Sequence, residues 1–274
     1  MMTTSPVPVL EVRNLGKEYV QTQAFSRTRF TVRAFENINL AVRRGETLAI
    51  VGESGAGKSS LARCLALLEN PSHGEILFEG ESALDLPKRE LFLMRRKTQL
   101  IFQNPTASLN PQFSAVEIVA EPLRIQRIGT SAQRHDRAIE MMELVGLSPD
   151  GGSKRPLEFS GGQRQRLAIA RALTLEPNLL ILDEALSNLD RGNQENILQL
   201  LDDLQAAHSL TYVHISHDLP LVSQFADEVA VMRSGHIVEH KATMELFAHP
   251  EHSYSRHLLG AMEQSEVIWL GQSA

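Results

Sequence analysis

Thr47-Leu48-Ala49-Ile50-Val51-Gly52-Glu53-Ser54-Gly55-Ala56-Gly57-Lys58-Ser59-Ser60 decides the fold of this 274-residue chain. A five-residue apolar run predicts a buried strand. The glycine-rich turn after it satisfies the pattern G-x-x-x-x-G-K-[ST] from Gly52 to Ser59. Apolar residues then recur at helical spacing, which predicts a helix over Lys58–Leu68. Glycines permit positive φ and close backbone approach. Loop N–H groups therefore converge on phosphate oxygens at the positive end of a helix dipole. Lys58 is expected to reach the β- and γ-phosphates, and the Ser59 hydroxyl to bind Mg²⁺.

A second apolar run, Leu179-Leu180-Ile181-Leu182, ends in Asp183-Glu184. Ligands of parallel α/β sheets sit beyond the carboxyl ends of the strands. Asp183 is expected to hold the hydration shell of Mg²⁺. Glu184 is expected to orient or deprotonate an attacking water.

Between and around these runs the pattern alternates. Val9–Leu15 and Glu36–Val42 read as half-buried or edge strands, with the polar stretch Gln21–Arg33 as a hairpin tip. Ile76–Phe78, Gln99–Phe102, Tyr212–Ile215 and Val229–Met232 read as further strands. Helical periodicity occupies Ala132–Val145, Gln163–Leu173 and Gln194–Ala207. Strands alternating with helices predict an α/β core with a mainly parallel sheet. An antiparallel β subdomain is expected at the N-terminal end. A helical subdomain is expected at about residues 112–176, inside a nucleotide-binding domain covering 1–262. Residues 263–274, including Trp269, are expected to form a tail.

Composition narrows the function. Hydrophobic residues make up 42% and charged residues 22%, enough for a sizeable core and too apolar for global disorder. A formal net charge of -6 gives no basic excess for a nucleic-acid partner. The single cysteine, Cys64, excludes an internal disulfide framework and points to a reducing compartment. No apolar run reaches the roughly 18 residues that a membrane span needs. The first residues are neither basic nor apolar enough for a secretory signal, so a membrane role requires recruitment by another subunit.

Phe159-Ser160-Gly161-Gly162-Gln163 lies between the phosphate loop and the acidic strand. Ser160 is a good helix N-cap, and the glycines expose N–H groups at a helix start. The segment resembles the signature motif of the ABC (ATP-binding cassette) ATPases, and other segments agree in order. Tyr19 resembles the aromatic that stacks on adenine. Gln103, in Ile101-Phe102-Gln103-Asn104-Pro105, resembles the Q-loop glutamine. Ser187-Asn188-Leu189-Asp190 resembles the D-loop, and His217 resembles the switch histidine. The resemblance covers about Val9 to Gly260. Phe159 replaces the usual leucine, Ala185-Leu186 replaces Pro-Thr, and Asn188 stands where alanine is common.

The resemblance implies an RecA-like P-loop ATPase with ATP and Mg²⁺ as cofactors. ATP would be held by Tyr19, by Gly52, Glu53, Ser54, Gly55, Ala56, Gly57, Lys58, Ser59 and Ser60, and by Ser160, Gly161, Gly162 and Gln163 of a head-to-tail partner cassette. Ser59, Gln103 and Asp183 would hold Mg²⁺. Glu184, His217 and Gln103 would be the catalytic residues. Phe102-Gln103-Asn104-Pro105-Thr106-Ala107-Ser108-Leu109-Asn110-Pro111 looks like the extended Q-loop of the oligopeptide, dipeptide and nickel importer group. His249-Pro250-Glu251-His252-Ser253-Tyr254-Ser255-Arg256 resembles that group's C-terminal segment, with an interruption.

That group implies peripheral attachment to the cytoplasmic face of the inner membrane. Its partners are a second ATPase subunit, two transmembrane permeases and a substrate-binding protein. A heterodimer of two different ATPases is expected, and a homodimer is the alternative. The cargo is a peptide or a nickel or other metal chelate. Alternative machines are an exporter, a lipoprotein-release system or a non-transport cassette ATPase. Cys64 alone cannot hold an iron–sulfur cluster. His236, His240, His249, His252 and His257 read as solvated or capping residues, because no cysteine or paired carboxylate joins them. The basic residues Lys88, Arg89, Arg95, Arg96 and Lys97 read as a solvated helix face.

Overall fold

The computed structural model describes residues 7–22 and 29–260. It divides into two compact units: Met1–Pro87 with Thr211–Ala274, and Lys88–Leu210.

The first unit holds two sheets. In the antiparallel one, β1 (Leu10–Thr22) pairs with β2 (Arg29–Val42) from Leu10↔Val42 to Thr22↔Arg29. On its other side β1 pairs with β4 (His73–Phe78), which pairs in turn with β5 (Glu81–Ser82). The strand at Val9–Leu15 is therefore interior, not an edge. Its alternation reflects a buried face carrying Leu10, Val12 and Leu15, and that pattern says nothing about pairing on either side. Residues 23–28 of the expected hairpin tip lie outside the described residues, and the rest of it belongs to β1 and β2.

The second sheet of this unit runs β10-β9-β3-β8. β3 (Thr47–Val51) is parallel to β8 (Thr211–Ser216) and to β9 (Glu228–Arg233), and β10 (His236–Ala242) is antiparallel to β9. Every residue of β3 and β8 is buried, so β3 reads as an apolar run without alternation, while β8 also buries the polar Thr211, His214 and Ser216. Burying Leu48 and Ile50 contributes about 1.5–3 kcal/mol each. Ala49 and Val51 face a cluster with Leu219 and Val222 of α8 (Leu219–Phe225), Leu246 of α9 (Thr243–Ala248), and Tyr254. The helix after β3, α1, spans Lys58–Leu65. It ends earlier than its apolar pattern predicts because Leu67 turns to φ 56°. The pattern continues only because Ala66 and Leu67 are buried beyond the helix.

The second unit contains α2 (Lys88–Lys97), β6 (Thr98–Ile101), α3 (Pro105–Ser108), α4 (Ala115–Ile125), α5 (Ser131–Leu144), α6 (Gly161–Leu173), β7 (Leu179–Asp183) and α7 (Arg191–His208). β6 and β7 pair in parallel from Thr98↔Leu179 to Ile101↔Leu182. Helices α4, α5 and α6 pack against one another as a helical insertion. All three start in the same way. Ser114, Thr130 and Ser160 each accept from the N–H three residues on, and Glu117, Gln133 and Gln163 each reach back to the cap N–H. Each such box satisfies two N–H groups that the helix leaves unpaired, and loss of a cap residue costs about 1 kcal/mol. The basic run lies on α2, where Lys88, Arg89 and Lys97 are exposed and Arg95 and Arg96 half-buried.

Candidate functional site

The phosphate loop fills the turn from β3 to α1 in the first unit. Gly57, the N-cap of α1, sits at φ 103°, and a Cβ there would lie 2.2 Å from the Ala34 carbonyl oxygen. Only glycine fits both conditions. The loop is tied down at Ala56, whose N–H donates to the Glu53 carbonyl at 3.2 Å and whose carbonyl accepts from Gly235 N–H at 3.0 Å. Lys58 is 4% exposed, and its Nζ donates to the carbonyls of Gly52 at 2.7 Å and Glu53 at 2.9 Å. A buried ammonium needs such partners, since an unpaired buried charge is far too costly to keep. These carbonyls hold the lysine inside the curl of the loop. Phosphate oxygens are stronger acceptors of the same kind. The arrangement therefore suits a polyphosphate: a buried cation, glycine-enforced curvature and a helix start converge.

Tyr19 lies half-buried on β1, in the same unit. Its hydroxyl donates to Glu69 Oε2 at 2.6 Å and lies 3.3 Å from Ser60 Oγ, two residues after the loop lysine. Lys17 Nζ sits 5.0 Å from its ring centroid. Burial pushes the Glu69 carboxyl up, but the Tyr19 hydroxyl, Arg63 and Lys17 outweigh this and hold it below the ordinary carboxylate range. His217 is exposed at the carboxyl end of β8, just before Asp218, whose side chain caps α8 by accepting from Leu221 N–H at 3.1 Å. Three residues earlier, His214 is buried against the edge of Phe225, with ring centroids 5.7 Å apart. Burial pushes its pKa down to about 4.

The second unit brings three other candidates together. Asp183 is the buried last residue of β7, and Glu184 follows it at φ 48°, a left-handed conformation unusual for glutamate. Such backbone strain costs on the order of 1–3 kcal/mol and persists where the surroundings enforce it. Here the Ser187 Oγ donates to the Glu184 carbonyl at 2.9 Å. Gln103 Nε2 donates to Glu184 Oε2 at 2.9 Å, and Asn188 Nδ2 donates to the Gln103 carbonyl at 3.2 Å. Gln103 is thus held at its backbone and engaged at its side chain.

Phe159 is buried, and Ser160 opens α6. The Ser160 hydroxyl and the Gln163 amide close the capping box, and Arg164 Nη1 donates to the Phe159 carbonyl at 2.7 Å. A Cβ on Gly162 would lie 2.5 Å from Asn193 Oδ1, and Asn193 is fixed in turn by the α7 N-cap Asp190. A side chain at Gly162 would push the Asn193 side chain aside, so glycine there keeps the two helix starts close.

Sequence reasoning missed Tyr254 as a site residue. Its hydroxyl accepts from Glu53 N–H inside the phosphate loop at 3.0 Å, 201 positions away. It also missed Asn193 and His214, for which no local pattern exists. Among the C-terminal histidines, His240 Nε2 meets Glu228 Oε2 at 2.8 Å and His252 Nδ1 accepts from Tyr254 N–H at 3.1 Å. Among the described residues, no three His, Cys, Asp or Glu side chains are grouped as metal ligands. Burial pushes the Cys64 thiol up to about 11, which makes it unreactive. Among the described residues, no helix is long and apolar enough to cross a membrane.

Known proteins resemble this chain throughout. A family model described as ABC transporter matches residues 35–187. A putative peptide import ATP-binding protein of Brucella ovis is 44% identical over 255 residues, covering 93% of this chain and 78% of that protein. The dipeptide transport ATP-binding protein DppF of Escherichia coli is 42% identical over 254 residues, covering 93% and 76%. Among solved structures, the dimeric ATP-binding cassette MJ0796 bound to ADP and Pi superposes with a TM-score of 0.75 at 30% identity, over 85% of this chain and 98% of that one. With a phosphate loop, an acidic strand end and a capped signature helix built as described, this chain belongs to the ABC transporter family and is an ATPase cassette of that family.

Proposed function

We propose that this chain hydrolyses ATP to drive the import of peptides through a membrane permease to which it binds from the cytoplasmic side. The observation that carries the hydrolytic part is the Glu184 carboxylate, held at 2.9 Å by Gln103 at the end of a buried strand. A water-orienting base needs a fixed position more than an unusual chemical group. Glu184 is the base or water-orienting residue, and His217 contacts the γ-phosphate and the attacking water. Residues 52–60 hold the phosphates, with Lys58 offsetting the charge that develops on transfer. Tyr19 stacks on adenine. Ser59, Gln103 and Asp183 are the residues that would hold Mg²⁺, which would supply positive charge against the phosphate groups.

Ser160, Gly161, Gly162 and Gln163 present a helix start without a lysine of its own. They complete the phosphate site of a second cassette, so the working unit is a head-to-tail dimer. We favour a sister subunit as the second cassette, together with two permeases and a substrate-binding protein. Peptide cargo is supported by the names of the Brucella ovis and Escherichia coli relatives. The test is uptake of a labelled dipeptide by cells that lack this chain, complemented with wild type or with Glu184→Gln. Uptake restored by wild type alone is the expected result. Unchanged uptake in cells lacking the chain would rule out peptide cargo.

A further inference from the structure

The C-terminal segment reaches the phosphate loop. Residues 253–260 are helical, and the chain leading into them is clamped by Glu239 of β10. Glu239 Oε1 accepts from Glu251 N–H at 2.8 Å and Oε2 accepts from His252 N–H at 3.0 Å. Lys241 Nζ adds an ion pair to Glu251 at 2.7 Å. Burial pushes the Glu239 carboxyl up, but these N–H groups and Lys241 outweigh it and hold its pKa below the ordinary carboxylate range. The carboxylate is therefore favoured in its charged form, and both its oxygens are engaged by the clamp.

The clamp delivers Tyr254, 4% exposed, to the core beneath β3. Its ring packs in the cluster with Ala49 and Val51, and the Arg233 guanidinium lies 4.8 Å from the ring centroid. Its hydroxyl accepts from Glu53 N–H at 3.0 Å. Burial pushes the phenol above its ordinary value, so it stays neutral and protonated. The Gly52–Glu53 peptide is thus gripped twice. Its N–H, that of Glu53, is held by Tyr254, and its carbonyl, that of Gly52, accepts from the Lys58 ammonium at 2.7 Å.

We propose that Tyr254 is a positioning residue for ATP binding, fixing the phosphate loop at Glu53 so that it is curled around Lys58 before nucleotide arrives. The proposal rests on the reading of residues 52–59 as the phosphate site. A loop ordered in advance loses less conformational freedom on binding. When Lys58 turns from the loop carbonyls to phosphate, Tyr254 keeps the Gly52–Glu53 peptide from following it. The C-terminal segment of this chain then acts on nucleotide affinity from behind the loop without touching nucleotide.

The test is Tyr254→Phe in the full chain, which keeps the ring and removes only the hydroxyl, alongside Lys58→Ala. ATP affinity is read by titration with a fluorescent ATP analogue, and the melting temperature is read without nucleotide. Loss of one hydrogen bond should weaken ATP binding about three- to tenfold in Tyr254→Phe, while the Tm stays within about 2 °C of wild type. Lys58→Ala should lose binding further. Wild-type ATP affinity in Tyr254→Phe overturns the proposal, with or without a fall in Tm, while leaving the phosphate-loop reading intact if Lys58→Ala still fails to bind. Normal ATP binding by Lys58→Ala would overturn the phosphate-loop reading and the proposal together.

Discussion

Acidification provides a quantitative test of the packing that supports β8. His214 is 1% exposed, packs edge-to-face with Phe225, and has no hydrogen-bond partner for Nδ1 among the described residues. Burial pushes its pKa down to about 4, whereas an unfolded histidine titrates near about 6.5. Between these values the unfolded chain binds a proton that the folded chain refuses. Stability is therefore fully present above the unfolded pKa and is lost as pH falls from about 6.5 towards about 4. Taking the two pKa values, a drop from pH 7 to pH 5 costs about 2 kcal/mol through His214 alone. In a chain of this size that corresponds to about 4–8 °C in Tm. The perturbation is His214→Leu, which fills a similar volume and cannot titrate. Denaturant midpoints for both proteins at pH 7 and pH 5 isolate the contribution, because the other histidines are common to both. Wild type should lose about 2 kcal/mol more than the variant between the two pH values. Equal losses would refute the reasoning and place His214 in contact with a proton acceptor or with water.

Two substitutions test the site itself. Gly57→Ala puts a Cβ 2.2 Å from the Ala34 carbonyl oxygen at φ 103°, so backbone must move. The expected cost is about 1–3 kcal/mol in stability, with ATP affinity falling at least about tenfold, read by thermal melting and nucleotide titration. Asn188→Ala removes the 3.2 Å bond to the Gln103 carbonyl at an exposed position. It should change stability by less than about 0.5 kcal/mol yet lower kcat at saturating ATP about two- to fivefold, because Gln103 loses the anchor that sets it against Glu184.

The phosphate loop was legible because its chemistry is local. A buried strand, three glycines and a lysine lie within twelve residues, and the turn they imply leaves few alternatives. The contact between Gln103 and Glu184 spans 81 positions and was not read from the sequence, where the order of motifs gave only a role for each residue. The positive φ of Glu184 has no composition signal, since any side chain pushed there looks ordinary in sequence. Strand β10 and helices α8 and α9 were not predicted. Each is short, and β10 carries mixed polar residues that pair only along its β9 side. Asn188 stood out as an unusual residue, but its bond to Gln103 depends on a turn that sequence does not describe. Tyr254 sat in a segment recognised by resemblance, and nothing near it in sequence points to Glu53. The tail after residue 262 lies outside the described residues.

The central claim is that Glu184, held by Gln103, performs the hydrolytic step while the phosphate loop binds ATP independently of it. The most direct measurement is a single-turnover assay of radiolabelled ATP with wild type and Glu184→Gln, combined with the size of the nucleotide-bound complex, with and without the sister ATPase. The account predicts that Glu184→Gln binds ATP with wild-type affinity, releases product at least about 100-fold more slowly, and accumulates as an ATP-bound dimer. Hydrolysis by Glu184→Gln at the wild-type rate would contradict it.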